Sequence, residues 1–120
     1  MNTPSHRPPI TSHILNLVTG KPAAGIRVRV YKGDRLLAEG KTNPDGRVQI
    51  WTPELKKLAA GTYVLEFQTA KLFKTLPLQG CFYPRIRIEF GVTKESLLKK
   101  EHFHIPLLIS PYGYTTYRGS

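Results

Sequence analysis

HFHIPLLISPYGYTTYRGS, residues 102–120, is the stretch from which the rest of the chain can be read. At a period of two, Phe103, Ile105, Leu107 and Ile109 point one way, and His102, His104, Pro106, Leu108 and Ser110 the other. The first set makes a core face. The second carries two imidazoles and a leucine, a mixture that suits a lined cleft or a contact surface better than open solvent. Ser110-Pro111 and Gly113 punctuate the run, and Tyr112, Tyr114, Thr115, Thr116 and Tyr117 form a second β-prone segment. A strand that continues almost to Tyr117-Arg118-Gly119-Ser120 predicts a terminus held in place rather than frayed.

Working outward, the same periodicity recurs. Ile26, Val28 and Val30 alternate with Arg27, Arg29 and Tyr31, and Ile86, Ile88 and Phe90 with Arg85, Arg87 and Glu89. Tyr63, Leu65 and Phe67 alternate with Val64, Glu66 and Gln68. Ile10 to Val18 supports a first strand whose alternation is imperfect, leaving the facing of His13 open. Asn43-Pro44-Asp45-Gly46 reads as a tight turn, after which Val48 and Ile50 are expected inward and Arg47 and Gln49 outward. Leu55 and Leu58 fall in a short helical or irregular segment. Ala70 to Leu76, closed by Pro77, is the best candidate for a helix, while Thr93 to Lys100 reads as a solvated loop or short helical turn. About seven or eight short strands with one helix predict an all-β fold, a two-sheet antiparallel β-sandwich.

A chain of 120 residues is one domain. Met1 to Pro9 reads as a mobile polar leader with an idle His6, and residues 10–120 as the folded domain. The formal net charge of +10 makes a basic surface that attracts anions. Cys81, the single cysteine, cannot form an internal disulfide and reads as a small, at least half-buried thiol. No stretch is long enough for a membrane span and the start lacks the apolar segment of a secretory signal, so a cytoplasmic protein is expected.

His13, Arg47, His104 and the terminal Tyr117 to Ser120 are the residues equipped for chemistry that do not read as core. Singly, each has a plain explanation: a hydrogen-bonded strand histidine, a solvated arginine, sheet-packed tyrosine. Together they carry a resemblance. The ending YRGS preceded by HIPLLISPYGYTT, with SHILN and GKPAAG between Ser12 and Gly25, TNPDGRV at Thr42–Val48, GTYVLEF at Gly61–Phe67 and FYPRIRIEF at Phe82–Phe90, resembles the transthyretin-related 5-hydroxyisourate hydrolase family. Asn16, Tyr83 and the basic excess depart mildly from its pattern. The resemblance implies the transthyretin-like sandwich and hydrolysis of 5-hydroxyisourate to 2-oxo-4-hydroxy-4-carboxy-5-ureidoimidazoline in urate degradation, by water attack on a ring amide carbonyl. It further implies a homotetramer, a dimer of dimers with sites at the dimer–dimer interface, and no cofactor or metal.

Carried over residue by residue, the family's catalytic set falls on His13, Arg47, His104 and Ser120, and its substrate-binding residues on Tyr117, Arg118 and Gly119. The reaction requires a base for water, a donor for the oxyanion and a proton for the departing nitrogen. On this reading His104 with Ser120 activates water, Arg47 binds the oxyanion, and His13 orients substrate or protonates the leaving nitrogen. Which histidine is the base stays open. Three rivals belong to other classes. One is a transthyretin-like carrier, which the YRGS ending disfavours. Another is a zinc hydrolase using His13, His102 and His104. The third is a nucleic-acid binder using Arg27, Arg29, Arg85 and Arg87, which no reader motif accompanies; neither nucleic acid nor membrane is expected as a partner.

Overall fold

Half-buried alternation builds most of the molecule. A computed structural model of the chain describes residues 7–74 and 80–120. In chain order the elements are β1 (Ile10–Asn16), β2 (Lys21–Pro22), β3 (Arg27–Lys32), β4 (Arg35–Lys41), β5 (Arg47–Val48), β6 (Gly61–Gln68), β7 (Arg85–Val92), α1 (Lys94–Leu98), β8 (Phe103–Ser110) and β9 (Gly113–Thr116). One sheet runs β2-β1-β8-β9 with β5 also paired to β1, and the other runs β4-β3-β6-β7. Ile10, Ile14, Phe103, Ile105, Leu107 and Ile109 from the first sheet meet Val28, Val30, Leu65, Phe67 and Ile86 from the second in one apolar core. The two-sheet β-sandwich expected from the sequence is thus the observed fold, with one departure. All strand pairs are antiparallel except β1 and β8, which run parallel from Ile10↔Phe103 to Asn16↔Ile109. The chain reaches β8 only after building the whole opposite sheet, and so returns to β1 in the same direction.

The irregular first strand has a simple cause. Ser12 sits on the core face between Ile10 and Ile14, wholly buried, with its hydroxyl donating to the Ile105 carbonyl at 2.7 Å. His13 therefore lies on the outer face. Several expectations need correction. Ile50 is half exposed rather than inward, because β5 ends at Val48 and Trp51 turns in instead, its indole N–H donating to the Ile10 carbonyl at 2.8 Å. The proposed helix at 70–76 is not a helix over its described part: residues 70–74 are turns, and Phe73 has φ +67°; Thr75 and Leu76 lie outside the described residues. Among the described residues the helix is α1, N-capped by the Thr93 hydroxyl, which accepts from the Ser96 amide at 3.0 Å.

Of the expected 1–9 leader, Met1 to His6 lie outside the described residues. Pro8 is buried, and the Pro9 carbonyl accepts from the Phe103 amide at 3.0 Å. On the far sheet the carboxylate of Glu66 is buried between Arg29 and Arg87, with Arg29 also bonding Glu39 at 2.6 Å. Those arginines are therefore engaged in cross-strand pairs. No helix among the described residues is long and apolar enough to cross a membrane.

Candidate active site

Three strand registers bring the chemistry-bearing residues onto the outer face of the first sheet. Parallel pairing sets Thr11 beside His104 and His13 beside Pro106; antiparallel pairing sets Arg47 beside His13. The position of Arg47 is fixed by its turn. Asn43 Oδ1 accepts from the Asp45 and Arg47 amides at 3.0 Å each, and the Gly46 amide donates to the Asn43 carbonyl at 2.8 Å. Gly46 needs its φ of +74°, and a Cβ there would sit 2.7 Å from the Ile14 carbonyl oxygen, so only glycine lets the turn close against β1. At the other end, the Gly119 amide donates to the His104 carbonyl at 2.8 Å, seating the tail against β8.

These elements surround a cleft of about 430 Å³ lined by Arg7, Thr11, Arg47, Gln49, His102, His104 and Ser120, with Pro8, Ser12 and Val48 beneath. The Thr11 hydroxyl stands between two imidazoles, 2.8 Å from His104 Nδ1 and 2.7 Å from His102 Nε2. Burial pushes His104 below the ordinary imidazole pKa, and the positive charge of Arg47 adds to it. Burial likewise lowers His13, helped by Arg47 and opposed by a hydrogen bond to the backbone of Asp45 and by its carboxylate. His102 is lowered to about 4 by burial, then by Arg7 and His104. All three rings are therefore neutral near pH 7, the form in which imidazole accepts a proton. Among the described residues no three of His, Cys, Asp and Glu group as metal ligands would.

Of the residues singled out from sequence, His104, Arg47 and Ser120 line the cleft, and His13 lies within electrostatic reach of Arg47 and His104. Gly119 bridges to His104, and a Cβ on it would lie 2.5 Å from Cδ2 of that ring. Tyr117 and Arg118 lie elsewhere, lining a hollow of about 250 Å³ between the sheets' edges, where Arg118 bonds Glu101 at 2.8 Å and covers the Phe103 ring. Tyr114 stands in β9 but on the other face from the cleft. It pairs with Ile109 and packs edge-on against Tyr83, so it does not share a face with Leu108, whose neighbour is Thr115. Sequence reading passed over Arg7, Thr11 and Gln49, and set His102 aside. The last three stand two residues from His13, Arg47 and His104 respectively; period two already sets Gln49 with Arg47 and His102 with His104, and the same spacing puts Thr11 on the face of His13.

Residues 10–119 match the family model described as HIUase/Transthyretin family. The chain belongs to that family. Within it, a 5-hydroxyisourate hydrolase of Caulobacter vibrioides is 44% identical over 118 residues, covering 92% of this chain and 97% of that protein. Among solved structures, the 5-hydroxyisourate hydrolase of Klebsiella pneumoniae superposes with a TM-score of 0.75 at 34% identity, over 92% of this chain and 98% of that one. Transthyretin from Sparus aurata superposes with a TM-score of 0.77 at 26% identity, over 94% and 97%. The HIUase/Transthyretin fold is thus common to proteins of different names, and the choice between them rests on the cleft.

Proposed function

We propose that this chain hydrolyses 5-hydroxyisourate, opening a ring amide with water. The observation that carries the reading is the convergence on one cleft of a neutral His104, a permanently charged Arg47 and Ser120, with neutral His13 alongside, in a chain 44% identical to a protein named for this reaction. The chemistry divides among them. His104, with Ser120 helping to hold the water, takes a proton as the oxygen attacks the carbonyl carbon. Arg47 receives the oxyanion of the tetrahedral intermediate; guanidinium keeps its charge throughout, so it adds stabilisation without exchanging protons. As the carbon–nitrogen bond breaks, the proton that His104 took from water passes to the departing nitrogen by way of His13, which accepts it on one ring nitrogen as it releases its own from the other, so that both histidines end neutral. Overall one water is consumed, its hydroxyl ending on the new carboxyl group and its proton on nitrogen. Arg7, also in the cleft, adds positive charge where an oxidised urate would carry negative.

The groups lie on an open sheet face, where bulk water would weaken the electrostatics. Leu15 and Leu108 on that face are half-buried in the single chain, and Leu17, Val18 and Ile50 are exposed. We infer that a second copy covers them in a homotetramer, a dimer of dimers, in which Tyr117 and Arg118 shape the substrate's surroundings.

The test is a coupled assay in which uricase generates 5-hydroxyisourate in the cuvette and the decay of its ultraviolet band is followed with and without the protein, in the presence of a chelator. Accelerated decay that His104→Ala and Arg47→Gln abolish is the expected result. Decay no faster than the blank, from a folded tetramer by light scattering, would overturn the reading and favour a carrier.

A further inference from the structure

We propose that Arg7 is a substrate-binding residue: from one end of the cleft its guanidinium holds the anionic part of the substrate remote from the carbonyl under attack, while Arg47 receives the oxyanion at the other. The inference rests on the hydrolase reading for the identity of the anion, but not for the existence of an anion site.

Arg7 belongs to the segment ahead of β1, and that segment continues the alternation of the strand without a break. Pro8, Ile10, Ser12 and Ile14 are buried, while Arg7, Pro9, Thr11 and His13 are half-buried or exposed. The two prolines account for this. A proline fixes its own φ and pushes the residue before it into extended backbone, so Arg7 and Pro8 follow the path of a strand without needing its ladder. The segment is fastened on both flanks. The Pro9 carbonyl accepts from the Phe103 amide at 3.0 Å, and the Ile10 carbonyl accepts from the Trp51 indole at 2.8 Å. Period two then puts Arg7 on the face of Thr11 and His13.

The strand pairings order that face. Arg47 lies opposite His13, and His104 opposite Thr11. Extended backbone from Arg7 to His13 spans roughly 20 Å. Both arginines nevertheless line the same cleft of about 430 Å³, with Thr11, His102 and His104 at the registers between them. Among the described residues no acidic side chain lines that cleft, and neither Arg7 nor Arg47 has an ion-pair partner. Arg29, Arg87 and Arg118, by contrast, are each paired with a glutamate. The imidazoles between the two cations are neutral, and the charge of Arg7 is one of the causes. Two uncompensated guanidiniums facing one hollow make a site for an anion that offers oxygen atoms at both ends.

Position divides the labour between them. Arg47 stands beside His13, where bonds change, so its contact strengthens as the oxyanion forms. Arg7 meets the end whose charge does not change, and so binds substrate and transition state alike. Such uniform binding lowers KM and leaves kcat as it was.

Equilibrium binding of urate to the intact chain at neutral pH tests the site without turnover, and steady-state kinetics test its part in the reaction. Urate is an oxidised purine and a monoanion at that pH; hypoxanthine, uncharged there, is the comparison. The wild type should bind urate the more tightly. Arg7→Gln should weaken urate binding and raise KM for 5-hydroxyisourate by roughly 10-fold each, the size of one lost hydrogen bond to a charged group, with kcat near that of the wild type. Arg7→Lys, which keeps the charge but not the fork, should recover part of the affinity. Arg27→Gln, which removes a cation from the opposite sheet, should change neither quantity. Equal affinity of the wild type for urate and hypoxanthine would overturn the proposal. So would Arg7→Gln acting no more strongly than Arg27→Gln, or a loss confined to kcat. Urate binding that depends on Arg7 in a chain unable to hydrolyse 5-hydroxyisourate would sustain the anion site while sinking the enzyme reading. Unaltered urate affinity and KM for Arg7→Gln in an active enzyme would do the reverse, so the two failures are distinguishable.

Discussion

Replacing Gly119 by alanine puts a methyl group where the His104 ring already is. A Cβ built at residue 119 lies 2.5 Å from His104 Cδ2, 3.3 Å from its Cγ and 3.2 Å from Pro106 Cγ. Ordinary contact begins at 3.4 Å, so the ring or the tail must retreat by about 0.9 Å. Pro106 is a buried strand residue and the ring is held by Thr11 at 2.8 Å, which leaves the imidazole and the tail to share the movement. A misplacement of about 1 Å at a catalytic group costs roughly 10²-fold in rate. Gly119→Ala should therefore lower kcat by about that factor. Its effect on stability should be small, because the residues around it, Arg118 and Ser120, lie at the edge of the sandwich outside the core cluster. The assay pairs initial rates of 5-hydroxyisourate decay with a thermal melt of the same preparation. A near-wild-type rate would refute the reasoning, and so would a lost rate accompanied by a comparably lost fold.

Two further predictions concern pH and the opposite sheet. Burial and Arg47, with smaller help from His13 and Arg7, hold His104 below its ordinary value, and the role proposed for it requires a neutral ring, so kcat/KM should stay flat through neutrality and fall only at acid pH; Arg7→Gln removes one lowering charge and should move that acid limb to higher pH, whereas a limb unmoved or shifted lower would contradict the charge placement. Glu66→Gln leaves Arg87 without its carboxylate and should cost about 1–3 kcal/mol in urea unfolding with kcat unchanged, since the site lies on the other sheet; an unaltered midpoint would mean the buried pair contributes nothing.

Where a strand buries one face with apolar residues, the sequence was sufficient. Phe103 to Ile109, Val28 and Val30, and Leu65 and Phe67 could be placed from alternation alone. Legibility failed where a polar residue satisfied itself indoors. Ser12 donates to a backbone carbonyl, so β1 lacks a clean apolar period and His13 could not be assigned a face. It failed again where an element was too short to have a period, as in two-residue β5, where Trp51 rather than Ile50 turned inward. Leu72 and Phe73 suggested a helix by composition, but spacing does not report backbone sign, and Phe73 has positive φ. The parallel union of β1 with β8 left no local trace at all. For the site, the motifs pointed to His104 and Arg47, and both line the cleft, whereas Thr11 could not be singled out, because a strand threonine has no signature until its two histidine neighbours are known.

That parallel union also governs the order in which the molecule can be assembled. The sheet of β3, β4, β6 and β7 closes within residues 27–92, its most distant pairing being Val28 with Phe67. Thr11 and His104, by contrast, are separated by 93 positions. Such distant closure is slow, and a growing chain cannot attempt it until β8 has been made. In the interval the completed sheet presents Val28, Val30, Leu65, Phe67 and Ile86 without a cover, a surface on which unfinished chains can adhere to one another. The cleft that would handle substrate is thus among the last parts to come into existence during biosynthesis, and its closure is also the event that hides the sticky sheet.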